Sequence, residues 1–518
     1  MKRVLALALA ALCLLTACSW EEEEPDVDPG WEGYQQPVEE EPELPSEEPE
    51  PEYPDAFALP YQKDQTLDPV ACGEGAQELV ASLLYEPLFR LDSRFQAAPL
   101  LCESYEWDET GLVCTLTLRS DVLFSDGTAF AARDVVETLQ RAAVSERYAY
   151  RLRNVAAVTA NKAGQVLITL AVPDRGLPEL LDIPIVKHGT SAALVPIGTG
   201  PYTLEAEEDG GTCLTLNENW WQSKSFPLTN IPLVHAKDKD TALYLFSSKK
   251  AELLVVDPTD DLSFASGQFQ MAAQATTILQ FIGFNTAEGR LFADRALRQA
   301  FSLGIQREAL VTAQLPDLAL AAHFPVSPLS PLYPKDLEKT HTVEETASAL
   351  RSAGQNTGEP LELSLLVSGD DRFRAGSARF IASSLSVLDW NITVVELPWE
   401  EYMEALETGE FDLYFGEVRL TADWDLSDLV GSLGALNYGG YSDEVTDGLL
   451  DAFAAAENRT EAARKLMTRL QYAAPIAPIC FKYDSIMTHP GVVENISSTP
   501  AFTFSNFDSW KIHLSGTK

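Results

Sequence analysis

Residues 114–119 alternate apolar and polar positions: Cys114, Leu116 and Leu118 against Thr115, Thr117 and Arg119. A period of two predicts a strand with one buried face. Val122, Leu123 and Phe124 form a second apolar run, closed by Asp126-Gly127, where glycine accepts the positive φ of a tight turn. Val135, Val136 and Leu139 then stand at helical spacing, with Asp134 in the first turn. Elsewhere the pattern predicts helices over 74–84, 343–353, 373–388 and 399–408. Strands are predicted over 166–172, 214–221, 279–286, 361–367 and 390–397, and a hairpin turn over 108–111. The last two strands flank the 373–388 helix, a β-α-β arrangement that implies a parallel pair with a right-handed crossover.

The 518-residue length suggests about three domains. Lys2 and Arg3, an apolar run over 4–15, then Thr16, Ala17 and Cys18 have the order of an export signal. The run is too short for a mature transmembrane helix. Residues 19–56 hold sixteen Asp or Glu, eight Pro and no Lys or Arg. Such a stretch repels itself and buries nothing, and proline extends it, so it is expected to be a tether; an acidic partner-binding arm is the alternative. With the leader and tether set aside, the remaining body keeps a net charge of −27, which argues against nucleic acid as a partner. Cys72, Cys102, Cys114, Cys213 and Cys480 form no C-x-x-C pair, so no zinc or redox motif is expected. Neither H-E-x-x-H nor G-x-S-x-G occurs, and Gly198 and Gly200 belong to no phosphate-loop pattern. The chain is therefore read as a non-enzyme without a cofactor or metal, with the glycine pair serving a tight re-entry of the chain.

Several blocks resemble the family 5 extracellular solute-binding proteins, the oligopeptide-, dipeptide- and nickel-binding proteins of ABC importers. The strand-turn-helix block carries Leu118, Arg119, Val122, Phe124, Asp126, Gly127, Thr128, Ala132, Asp134 and Val135. It departs at Ala131, where the family's Thr would cap the helix, a difference of about 1 kcal/mol. Further matches are Leu67-Asp68-Pro69, Tyr85-Glu86-Pro87-Leu88, the block over 99–106, Gly198-Thr199-Gly200-Pro201-Tyr202, the N-E-N-W-W run ending at Trp221, and Phe292 through Arg307 with helix-anchoring Arg298 and Gln299. Leu15-Thr16-Ala17-Cys18 resembles a lipobox, so Cys18 is the expected lipidation site.

The resemblance implies an α/β, two-lobe, three-subdomain fold of the type II periplasmic-binding kind, with central mixed sheets and a hinge. Its expected divisions are a leader over 1–17, a tether over 18–56, one lobe from 57–84, 188–283 and 475–518, an inserted subdomain over 85–187, and a second lobe over 284–474. It implies a lipid-anchored monomer outside the membrane, which captures a solute and passes it to an ABC permease. A ligand sensor on the same fold is the alternative. Oligopeptide is the expected ligand and oligosaccharide the runner-up. Ala422-Asp423-Trp424 matches the place where the family's peptide binders hold the ligand's ammonium group, although Leu420 and the run over 425–428 depart from the pattern. The other reading of Asp423 is a cap for the following helix. Arg419 is expected to meet a ligand carboxylate, or to pair with Asp423 or Glu417. Trp424, Tyr438 and Tyr441 are candidate cleft walls, and Gly73 and Gly75 permit close backbone approach by ligand.

Overall fold

The computed structural model describes residues 53–207, 210–263, 265–353, 361–386 and 390–515. The leader, Cys18 and the tether up to residue 52 lie outside the described residues. Tyr53 stacks on His513 with ring centroids 5.5 Å apart, and the Ser515 amide donates to Pro54 O at 2.8 Å. The two ends of the described chain therefore meet, and residues 53–55 already belong to the body.

Three sheets organise the body. A four-stranded sheet runs Leu59–Tyr61, Asn230–His235, Thr212–Leu216, Tyr202–Ala206 in spatial order. A second, antiparallel, runs Cys102–Trp107, Val113–Leu118, Val166–Leu170, Val155–Ala160. Here the alternation seen in the sequence is realised: Cys114 and Leu116 are fully buried, while Thr115 and Thr117 are half-exposed. The third sheet has seven strands, with the path Leu253–Val256, Ile476–Thr488, Gln270–Phe284, Leu413–Arg419, Leu361–Ser368, Trp390–Leu397, and Ala319–Ala321 paired to Ile476–Thr488. The expected β-α-β unit is present: Leu361 to Ser368 pair in parallel with Trp390 to Leu397, and the helix Arg372–Leu385 lies between them in sequence.

Gln270–Phe284 and Ile476–Thr488 are the strands common to both lobes. They pair antiparallel from Gln270↔Thr488 to Gly283↔Ile476. At about 3.3 Å per residue, a 15-residue strand spans ~50 Å. At one end Ile486 joins a core with Leu59, Tyr202 and Leu253. At the other, Ile282 and Ile479 join a core with Phe301, Leu365 and Trp390. Register shifts interrupt the ladder between Ala275 and Ile278 and between Gln280 and Phe281. Such bulges bend a strand, and these fall between the two cores, where a two-lobe fold has its hinge.

The family blocks have structural explanations. Asp134 is fully buried; its carboxylate accepts from the Ala131 amide at 2.8 Å and from the His188 amide at 2.8 Å. The helix Ala132–Ala142 thus keeps the reciprocal half of a capping box although Ala131 offers no side-chain acceptor. Glu86 gathers three blocks at once. Its carboxylate accepts from Thr199 Oγ1 at 3.0 Å, Trp221 Nε1 at 2.8 Å, Trp220 Nε1 at 3.3 Å and Gln222 Nε2 at 3.2 Å. Arg298 donates to the carbonyls of Ala473 and Ala474, and Gln299 donates to that of Tyr472 at 2.8 Å, so both anchor the end of the helix Arg459–Ala473. The five cysteines among the described residues are buried and free.

Candidate ligand cleft

The strand Leu413–Arg419 changes character along one face. Leu413 and Phe415 belong to a lobe core, but the next residues on that face are Glu417 and Arg419. Directly paired residues of an antiparallel ladder share a face. Gln280 pairs with both Glu417 and Cys480, and Ile278 with both Arg419 and Lys482. Two residues beyond Lys482 stands Asp484. The central strands therefore present a polar row, while Leu279, Phe281 and Phe481 on the opposite face join an apolar core.

Lys482 is 1% exposed, with its ammonium 2.6 Å from Asp257 and 3.0 Å from Glu417. Burial alone would lower its pKa; the two carboxylates outweigh it and the pKa is raised. Gln280 also donates to Glu417. Asp484 is pushed up to about 6 by burial, against the opposing field of Arg419. Arg419 itself is exposed, and among the described residues no carboxylate lies within 4 Å of it. Of its expected protein partners, Glu417 is taken by Lys482 and Gln280, and Asp423 makes no ion pair with it.

Gly73 and Gly75 are exposed, and a Cβ at either would meet no atom within 4 Å. Gly75, at φ 72°, leads into the helix Ala76–Leu84. Three arginines from one short segment stitch the surroundings together. Arg147 pairs with Glu78 and donates to Cys72 O at 3.3 Å, Arg151 pairs with Asp182, and Arg153 forks between Asp425 and Asp428 with Tyr150 under its guanidinium at 4.4 Å.

Asp423 is 5% exposed. Its carboxylate accepts from the Asp425 amide at 3.3 Å, closing a local turn. The helix Ser427–Val430 has Leu426 at its N-cap and no side-chain cap, so Asp423 does not cap it. Across the boundary stands Gly176, where an added Cβ would lie 2.6 Å from Asp423 Cβ and 2.5 Å from Arg459 Nη1. Arg459 directs its guanidinium to the backbone carbonyl of Asp423 and, at 3.9 Å, to Glu179. Among the described residues no cationic nitrogen comes within 4 Å of the Asp423 carboxylate. Burial, then the charge of Asp425, raise its pKa, opposed by Arg459. Asp174 and Glu179 nearby are each pushed up to about 7, mainly by burial.

The candidate aromatic walls lie differently. Trp424, 1% exposed at φ 61°, has its ring edge-to-face with Phe95 at 5.2 Å and Phe481 at 5.6 Å, so protein covers it. Tyr438 is half-buried, edge-on to Tyr414 at 6.2 Å. The Tyr441 hydroxyl donates to Asp443 at 3.0 Å and stands 2.9 Å from Thr446 Oγ1, at the start of the helix Glu444–Ala455. Asp423 thus lies against Gly176 and Arg459, Arg419, Gly73 and Gly75 are exposed, and Trp424 and Tyr441 are packed into protein. Lys482, Asp484, Asp174 and the arginine segment were not singled out from the sequence. The signal for the first two was present: Lys482 and Asp484 alternate with Phe481 and Tyr483 inside an apolar run. Among the described residues, no group of three or more His, Cys, Asp or Glu is placed to hold a metal ion, and no helix is long and apolar enough to cross a membrane.

Comparison with known proteins places this arrangement. The Glutathione-binding protein GsiB of Salmonella typhi is 26% identical over 278 residues, 51% of this chain and 54% of that protein. The match thus spans about half the length of the curated relative. The structure of HbpA2 from Haemophilus parasuis aligns with TM-score 0.72 at 19% identity, covering 89% of this chain and 100% of that one. A nickel ABC transporter structure from Bacillus halodurans aligns with TM-score 0.71 at 20% identity, covering 87% and 98%. At these identities the structural likenesses establish the fold, the two-lobe type II binding-protein architecture. Residues 96–437 match the family described as bacterial extracellular solute-binding proteins, family 5 Middle. With two-thirds of its length matched, the chain belongs to the family 5 bacterial extracellular solute-binding proteins.

Proposed function

We propose that the protein is the substrate-binding lipoprotein of an ABC importer, anchored through Cys18 on the outer face of the bacterial cell membrane. It captures a peptide between its lobes and delivers it to a permease without chemistry of its own. The observation that carries the peptide reading is Asp423: a buried carboxylate with no cation of the protein within 4 Å among the described residues. A desolvated carboxylate is unfavourable until a cation and hydrogen-bond donors compensate it. A peptide ammonium supplies both once the lobes part and admit it, and closure then buries the pair. A relative named for binding glutathione, itself a tripeptide, is compatible with such a ligand. Gly73 and Gly75 leave backbone access on the facing lobe, and Tyr438 is a half-buried surface for a ligand side chain.

The test is native mass spectrometry of the body purified without denaturation, followed by release of bound material. A set of co-purified short peptides, lost in Asp423→Ala, supports the proposal. A protein stabilised thermally by oligosaccharides but by no peptide would refute it and return Asp423 to a structural role.

A further inference from the structure

A recess lies where the chain turns from the helix Arg459–Ala473 into the strand Ile476–Thr488, against the helix Arg295–Gly304. It holds about 480 Å³ of empty space, counting its open mouth. Pro478 lines it, and Lys482 of the polar row stands four residues further along the strand, about 13 Å away at a strand's rise. The walls are held in place by side chains: Gln299 donates to Tyr472 O at 2.8 Å and Gln471 to Leu337 O at 2.7 Å. In a chain with 78 acidic residues against 37 Lys and Arg, the recess is lined by Arg307, His323 and Lys339 and, among the described residues, by no Asp or Glu.

Arg307 is 1% exposed and has no ion pair among the described residues. Its Nε donates to Pro478 O at 2.7 Å and Ala322 O at 3.2 Å, and its Nη1 to Ser302 O at 2.8 Å and Ile305 O at 3.3 Å. Nη2 donates to the Ser302 hydroxyl at 3.2 Å, which leaves its second N–H unused and the hydroxyl proton of Ser302 free to donate in turn. The His323 side chain is 7% exposed, and its Nε2 stands 3.6 Å from the exposed Glu308. Burial and the charge of Arg307 disfavour a proton on His323, against Glu308 and Glu338; a bound anion would favour it. Lys339 is exposed at the rim and has no carboxylate within 4 Å among the described residues.

We propose that this recess is a second binding site, separate from the one proposed for the peptide, and that it takes phosphate, free or as a monoester. A carboxylate pairs best with two parallel N–H groups of one guanidinium, and Nε and Nη1 of Arg307 are already occupied by carbonyls. Single donors from Arg307 Nη2, Ser302, His323 and Lys339 suit an anion with several acceptor oxygens instead.

The test is calorimetric titration of the purified full chain with inorganic phosphate, phenyl phosphate and acetate at constant ionic strength. Saturable one-site binding of phosphate or phenyl phosphate at millimolar concentration or below is expected, with acetate weaker by at least about tenfold. Whichever of the two phosphates binds tighter tells a free anion from a monoester. Lys339→Glu places a like charge at the rim and is expected to weaken binding at least about tenfold. His323→Leu should weaken it too, whereas Lys162→Glu, an exposed cation on another sheet's hairpin, should leave it unchanged. Thermal melting checks the fold, which the exposed position of Lys339 leaves intact. The proposal is overturned if neither phosphate saturates a site, if acetate binds as tightly, or if Lys339→Glu and His323→Leu both bind phosphate like the wild type.

Discussion

Gly176 offers a way to test lobe closure without knowing the ligand. Its backbone, at φ −84° and ψ 2°, suits any residue, so Gly176→Ala introduces no conformational strain. The new methyl carbon would stand 2.6 Å from Asp423 Cβ, 2.5 Å from Arg459 Nη1 and 3.0 Å from Arg459 Cζ. The arginine end can swing aside. Asp423 Cβ cannot, because it is fixed to a backbone held by the buried Trp424 between Phe95 and Phe481. One surplus methyl in a packed boundary costs about 1–3 kcal/mol. In a protein whose lobes separate, that cost falls on the closed arrangement rather than on the fold. Ligand affinity is then expected to drop by about 5-fold to 140-fold, with the melting temperature of ligand-free protein nearly unchanged. Small-angle scattering with and without the co-purified ligand, alongside calorimetric titration, measures both. A Gly176→Ala protein that binds as tightly and closes as compactly as the wild type would refute the view that this contact forms on closure.

Other expectations follow from single side chains. Glu86→Ala removes the acceptor for four donors, so urea unfolding should show a loss of about 3–5 kcal/mol. Burial pushes the Asp443 carboxyl up, but hydrogen bonds from Thr446, Arg469 and Tyr441 outweigh it and hold it at about 2. A depressed carboxylate contributes stability above its unfolded pKa of about 4 and loses it as pH falls through 2, so Asp443→Asn should cost about 2 kcal/mol at pH 7 and flatten the acid limb of a melting-versus-pH curve. Asp174 and Glu179 are displaced the other way, to about 7, beside Asp423, Asp425 and Arg459. Their contribution to the closed arrangement is full below pH 4 and lost as pH rises through 7. The ligand-free radius of gyration should therefore be larger at pH 8.5 than at pH 5, and a pH-independent radius would contradict this.

Much of the fold was legible because local patterns sufficed. The alternation around Cys114 and Leu116, the helix start at Asp134 and the parallel pair over 361–368 and 390–397 each follow from neighbours in sequence. The strand predicted over 279–286 is longer, Gln270–Phe284, because its first half is a mixed run whose burial comes from Ile476–Thr488, two hundred residues downstream. The strand predicted over 214–221 ends at Leu216. Trp220 and Trp221 read as apolar strand residues, but their ring nitrogens turn to Glu86, more than a hundred positions away. Asp423 stands out in the sequence because it falls at a family position, and Arg419 because a cation is unexpected beside it. Trp424 looked like a wall because an aromatic beside a ligand-binding position has the same one-letter pattern whether it faces solvent or Phe95. Asp174 and Glu179 carry no local mark: their character comes from the residues packed on them from the second lobe.

The meeting of Tyr53 with His513, and of Pro54 with Ser515, makes the body nearly a closed loop of chain. Where such a loop is cut matters little to its cores. A segment joined at the front of the body could be moved to its back and would leave from the same place. A tag placed after residue 515 would likewise begin beside Tyr53 and Pro54. Whatever is joined at either end of the described chain thus departs from the same small patch of surface.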